Sequence, residues 1–180
     1  EIYIPQIEKL MSSTQYNIRD EKFNLISMQF AIHYLFDRKE SLDGLVDNID
    51  ENLALGGLFI GTCFDGHTVW NKLKDMKRGE DIEARNKKGQ LIWKIKKDYI
   101  NVDTGSDTGS DKDSLAVEYF PTDEKSLSHS IYVYISSIDK LMKEYLVSMK
   151  YLERKLAARN IRLLNKKDTN KYMANSNTNS

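Results

Sequence analysis

The chain has 180 residues, 40% hydrophobic and 30% charged, with 27 Lys and Arg against 27 Asp and Glu. That balance allows one core of ordinary domain size, and composition alone does not announce a nucleic-acid binder. A lone cysteine, Cys63, excludes an intrachain disulfide and fits a reducing, intracellular compartment. With three scattered His it gives no zinc spacing, so no metal is expected. No apolar run approaches the roughly 20 residues of a bilayer-spanning helix, so no membrane is expected. No signal peptide is evident, and the absence of an initiator Met reads as a piece of something longer. The neutral total hides an asymmetry. Residues 101–124 carry seven acids and one Lys, whereas 138–171 carry ten Lys/Arg and four acids. A local basic face near the C-terminus is therefore allowed.

Residues 1–22 form a poorly defined lead-in. "FNLISMQFAI", 23–32, is a near-continuous apolar run that suits a strand covered on both faces. A helix of roughly fifteen residues follows, with Ser41 as N-cap and Leu42, Leu45, Val46, Ile49 and Leu53 at helical spacing. Gly56-Gly57 is expected to stop it. "LFIGTCF", 58–64, is a second buried strand, so 23–64 reads as a strand–helix–strand unit. "DGHT", 65–68, reads as a turn before a short helix, "VWNKLKDM".

The texture then changes. "DIEARNKKGQLIWKIKKDYI", 81–100, alternates about Lys88-Gly89 as a hairpin does. The acidic repeat 103–114 cannot bury apolar area and reads as a mobile loop. "LAVEYF" and "SIYVYISSI" are strand candidates. A helix over about 140–158 would align Leu141, Tyr145, Met149, Leu152 and Leu156 on one face. Asn160 is its expected left-handed cap, "IRLL" starts a last strand, and 165–180 is a disordered tail. The fold class is thus α/β: a parallel βαβ core plus antiparallel strands, with 23–164 as the folded part. Only two parallel strands are evident, so the others of a doubly wound sheet are expected before residue 1.

Chemistry is offered in few places. In open α/β sheets, ligands sit outside the carboxyl ends of strands. His33 and Tyr34 fall at the exit of the first strand, and Gln29 just before it. They read as a pocket floor, or as a satisfied core His and a surface Tyr. The glycines of "GGLFIGTCFDG" lack the spacing of a dinucleotide fingerprint, although Gly61 and Thr62 could line the same crevice. Glu144, in "KEYLV", could accept two hydrogen bonds from a guanine edge, or be a solvated helix glutamate. The Lys/Arg set of 150–167 could follow an RNA backbone or be a solvated face. Tyr119, Phe120, Tyr132 and Tyr134 alternate as core strand residues do, with one free to stack on a base.

Together these stretches resemble the mRNA cap guanine-N7 methyltransferases, closest in look to those of large DNA viruses with multidomain capping enzymes. "FNLISMQFAIHYLF", "LALGGLFIGTCFDG", "FPTDEKSLSHSIYVYI" and "EYLVSMKYLERKLAARNIRLL" carry the likeness in order and spacing, over roughly 23–164. The pairing of Gln-Phe-x-x-His-Tyr with Glu-Tyr-Leu-Val is its specific part. The resemblance implies a Rossmann-like fold using S-adenosylmethionine as cofactor, with the capped 5' end of RNA as substrate. It implies that Gln29, Phe30 and Tyr34 border the cofactor, and that His33, Tyr34 and Glu144 meet the cap guanine. No acid or base is implied, because guanine N7 has a free lone pair. Alignment and charge near His33, Tyr34 and Glu144 would serve. The implied setting is intracellular, in the nucleus, or in host cytoplasm or virion for a viral source, beside upstream capping domains.

The sequence also departs from the family. The glycine-rich cofactor loop and the acid that binds the ribose are absent and would lie before Glu1. No last strand pair is recognisable after Leu164. The expected reading is a C-terminal piece that binds cofactor poorly alone. The alternatives are a non-catalytic subunit of a capping complex or a methyltransferase with another substrate.

Overall fold

The structure, a computed structural model, describes residues 21–100, 119–165 and 167–169. Strand β1 (Phe23–Gln29) leads through a 3-10 turn (Ile32–Phe36) into α1 (Lys39–Asn52) and then β2 (Leu53–Thr62). The two strands pair in parallel, from Leu25 against Leu58 to Gln29 against Thr62. The strand–helix–strand unit is therefore as expected. Leu42, Leu45, Val46 and Ile49 are buried along one stripe of α1. Burying each such side chain stabilises the fold by about 1.5–3 kcal/mol. Ile26, Met28 and Phe59 sit on the same cluster from the strands.

Three expectations in this unit are corrected. β1 is not covered on both faces: Phe23 and Leu25 are 46% and 54% exposed. Among the described residues β1 and β2 form a sheet of two strands only. Ile26 and Met28 use the side facing α1, and the alternate side chains face away from it. The glycines do not stop the helix. α1 ends at Asn52, and Gly56 lies inside β2 at φ +77°. There the register slips between the Phe23–Leu53 and Leu25–Leu58 pairs. Gly56 thus serves a bulge, where a positive φ costs glycine little. Ser41 lies within α1, whose N-cap is Arg38.

The turn expected at 65–68 is the first turn of α2 (Gly66–Leu73). The Asp65 carboxylate caps it, accepting from the His67 N–H at 3.0 Å and the Thr68 hydroxyl at 2.7 Å. The hairpin of β3 (Asp81–Arg85) and β4 (Leu91–Lys97) follows as expected. β5 (Ser130–Ile135) and β6 (Lys140–Tyr145) complete an antiparallel sheet ordered β3-β4-β5-β6. Ile95, Ile131 and Val133 bury one face of it against Val69, Trp70 and Leu73 of α2.

The continuous helix expected over 140–158 is replaced by β6, a short link and α3 (Met149–Ala157). After β5 the chain reverses through Asp139 at φ 52°, and Lys140–Tyr145 pair residue by residue with Ile135–Ser130. The ladder satisfies backbone groups that a helix would otherwise have to pair internally. The spacing of Leu141, Tyr145 and Met149 thus crosses three local conformations. Asn160, at φ 62°, takes the left-handed cap as expected. Residues 161–164 form no strand. Of the alternating aromatics, Phe120 joins the sheet core and Tyr119 is exposed. Tyr132 and Tyr134 are half-buried, and the buried residues of their strand are the alternate ones, Ile131 and Val133. The acidic repeat 103–114, most of "LAVEYF", nearly all of 1–22 and most of the tail lie outside the described residues. Within the tail, Asn165 accepts from the N–H groups of Lys167 and Asp168 and caps a helical turn at 167–169.

The two cores meet at a dipeptide. Leu146 belongs to the sheet core and Val147 to the α1 core. Val147 forms a parallel bridge with Asp65, and its carbonyl accepts from the Gly66 N–H at 3.2 Å. A Cβ on Gly66 would stand 2.5 Å from that carbonyl oxygen, so the approach requires glycine.

Candidate functional site

The site is built where β1 and β2 end and where β6 runs past the 3-10 turn. Gln29 closes β1. Its side-chain oxygen accepts from the Thr62 hydroxyl at 2.8 Å, and its amide donates to Ser27 at 3.0 Å. This clamps the two strand ends together. Phe30 leaves the strand at φ 50°, held by its N–H donating to the Thr62 carbonyl at 2.9 Å. That conformation is costly for a bulky side chain, by about 1–2 kcal/mol. It leaves the Phe30 ring 61% exposed, edge-on to Phe64 at 6.5 Å.

The 3-10 turn is anchored by buried Ile32 and Phe36, and it carries His33 inward and Tyr34 outward. The rings of His33 and Tyr34 meet edge to face at 4.2 Å. Glu144, on β6 opposite Ile131, comes toward His33 on the sheet's inner side. His33 Nε2 lies 3.6 Å from Glu144 Oε2. That is too long for a hydrogen bond.

Both residues are buried, His33 at 3% and Glu144 at 7% exposure. Neither nitrogen of His33 nor Oε2 of Glu144 has a hydrogen-bond partner. Burial pushes the Glu144 carboxyl up to about 7 and lowers the His33 imidazole. An unsatisfied buried polar group costs about 1–3 kcal/mol. Two of these atoms, His33 Nε2 and Glu144 Oε2, face each other, and such unpaired buried groups are where a functional role is sought.

The fold therefore brings His33, Tyr34 and Glu144 together, and sets Gln29 and Phe30 at the strand end beside them in sequence. Glu144 does this from a strand, not from the expected helix. The contact of Phe64 with Phe30 was not anticipated. Its signal was its position just past the second strand's carboxyl end, beside Gly61 and Thr62. Three of the seven Lys and Arg of 150–167 are engaged within the fold. Lys155 pairs with Asp43, Arg159 pairs with Asp47, and Arg154 donates to the Thr122 carbonyl. Among the described residues, no group of three or more His, Cys, Asp or Glu could hold a metal ion, and no helix is long and apolar enough to cross a membrane.

A parallel βαβ unit beside an antiparallel sheet, with polar groups at its strand ends, defines a mixed α/β domain. The chain belongs to the mRNA (guanine-N(7))-methyltransferase domain family, whose model matches residues 6–180. It is similar to the mRNA cap guanine-N(7) methyltransferase of Schizosaccharomyces pombe, with 36% identity over 59 residues, 33% of this chain and 16% of the relative. It is also similar to a probable mRNA-capping enzyme of Acanthamoeba polyphaga mimivirus, 29% identical over 136 residues, 75% of this chain and 10% of the relative. The Candida albicans mRNA cap guanine-N(7) methyltransferase is 29% identical over 72 residues, 40% of this chain and 15% of the relative. The chain thus spans 10–16% of the length of these relatives.

Proposed function

We propose that this protein transfers a methyl group from S-adenosylmethionine to N7 of the guanine in an mRNA cap. One observation carries the reading: a buried carboxylate oxygen on Glu144, without a partner, opposite a buried His33 whose ring meets that of Tyr34. Guanine offers two adjacent donors, N1–H and the exocyclic amine, which a carboxylate accepts as a pair. Tyr34 is 42% exposed, so part of its ring is open to a base. The relatives named as cap methyltransferases and as a capping enzyme support the same substrate. We place the capped RNA 5' end as partner, with further capping domains accompanying this one.

S-adenosylmethionine supplies an electrophilic methyl when bound. Gln29, Phe30 and Tyr34 are the residues that would border it. Their character fits, because a sulfonium is a cation and aromatic faces attract cations. Gln29 acts by fixing the strand ends, since Ser27 and Thr62 occupy its amide. The nucleophile, N7, carries a free lone pair at neutral pH, so no residue need remove a proton. Glu144 and His33 hold the base in register for an in-line approach. The ionised Glu144 carboxylate offsets the positive charge that grows on the ring during transfer.

Methyl transfer to capped RNA, compared with uncapped RNA, tests this reading in the complete protein. Capped RNA is the expected acceptor. Glu144→Gln should lower kcat/KM by about 10- to 150-fold, the range of a lost charged hydrogen bond of about 1.5–3 kcal/mol. Equal transfer to both RNAs, or near-normal turnover by Glu144→Gln, overturns it.

A further inference from the structure

We propose that His33 is a positioning residue that acts through Glu144: its imidazole faces a Glu144 carboxyl that carries a proton while the site is empty, and a guanine edge binding to Glu144 sends that proton to solvent. This rests on Glu144 reading the guanine. The geometry carries it. Two buried titratable groups face each other at 3.6 Å, with three polar atoms that nothing else satisfies. The buried Oε2 of Glu144 lacks any donor, so the empty site favours the protonated acid. Burial acts in the same direction, raising Glu144 to about 7 and lowering the His33 imidazole.

The neighbouring charges are engaged elsewhere. On β6, Lys143 pairs with Asp98 and stands over the Tyr132 and Tyr145 rings. Across the ladder, β5 presents apolar Ile131 to Glu144. From β4, Lys97 donates to the carbonyls of Leu73, Lys74 and Met76. His129 turns its Nδ1 toward the Ser126 and Leu127 carbonyls. Beyond His33 on the 3-10 turn there is Tyr34, and Asp37 next to the turn pairs with Arg38. His33 is thus the titratable group left facing the Glu144 carboxyl.

The proton balance is simple. The protonated acid and neutral guanine go to carboxylate, bound guanine and one free proton. Guanine keeps N1–H and both amine hydrogens, and no bond between heavy atoms changes. Guanine affinity should therefore fall about tenfold from pH 8 to pH 6, the dependence of a single proton with a midpoint near neutrality.

The test is calorimetric titration of the full chain with the unmethylated cap dinucleotide GpppG, in buffers of different ionisation enthalpy. It is paired with carboxyl-carbon NMR of Glu144. Proton release approaching one at pH 6 and vanishing above pH 8 is expected. His33→Phe should lower the Glu144 midpoint and move the binding profile with it. His33→Gln, which keeps an acceptor within reach, should restore the midpoint part way. Binding without proton exchange, or a Glu144 midpoint unmoved in His33→Phe, overturns this role of His33. If Glu144→Gln still abolishes binding in that case, the guanine reading stands. GpppG affinity unchanged in Glu144→Gln, or no binding by the wild type, defeats both.

Discussion

Glu144 keeps its proton in the folded chain where the unfolded chain has lost it. Its carboxyl rises from an ordinary 4.5 to about 7, and burial is the cause. Across that window the folded state binds more protons, so this group's contribution to stability is complete at acid pH and is lost as pH rises toward 7. Gln cannot ionise. Glu144→Gln should therefore melt higher than wild type at pH 8, with the advantage shrinking by pH 5. His33 works in the opposite sense, because burial lowers its pKa. Its cost appears as pH falls below the ordinary 6.5 toward the lowered value, since the unfolded chain takes up the proton more readily. Melting curves of both single variants across pH 5–8 separate the two. Gln29, His33, Tyr34 and Glu144 could be singled out in the sequence as polar or aromatic residues near apolar runs. Their pairing could not. His33 and Glu144 are distant in the chain, and they become neighbours only because the 3-10 turn seats against β6.

At the scale of elements, α1 and the β3–β4 hairpin were legible because each satisfies its period over its whole length. Leu42, Leu45, Val46 and Ile49 leave no strand alternative. β6 was not legible as a strand. Its outward Leu141 and half-buried Tyr145 happen to continue the spacing of α3, and the hairpin that overrides this is a tertiary effect. α2 was read about one turn late, as 69–76 against Gly66–Leu73, since Asp65 looks like a turn residue until its capping role is seen. Two substitutions test how these elements are fixed. Gly66→Ala forces a Cβ against the Val147 backbone and should cost about 1–3 kcal/mol, as overpacking does. Lys97→Met strips the end of α2 of a cation whose Nζ lies 2.8–3.2 Å from three carbonyls. That loss should be about 1.5–3 kcal/mol. Urea unfolding midpoints check both.

For the molecule as a whole, charge is used to hold helices together. α1 and α3 are joined by Lys155 with Asp43 and by Arg159 with Asp47 and Asp50. Net charge could not reveal this, because the acids of one helix cancel the bases of another far along the chain. The Arg159 pairs are half exposed, so Arg159→Ala should lower stability by at most about 1 kcal/mol, and less at 0.5 M salt. RNA affinity should change little in that variant, which binding at two salt concentrations would check. Two hydrophobic cores, one around α1 and one inside the antiparallel sheet, then depend on the dipeptide Leu146-Val147.

The bridge between Asp65 and Val147 has a consequence for cooperativity. Main-chain hydrogen bonding across it belongs to neither sheet alone, so neither core can open without disturbing it. The amide of Gly66 should accordingly exchange with deuterium only as slowly as whole-molecule unfolding allows, while amides at the β3–β4 hairpin tip exchange sooner. In that sense the loop after β2 is the seam at which two half-structures become one thermodynamic unit.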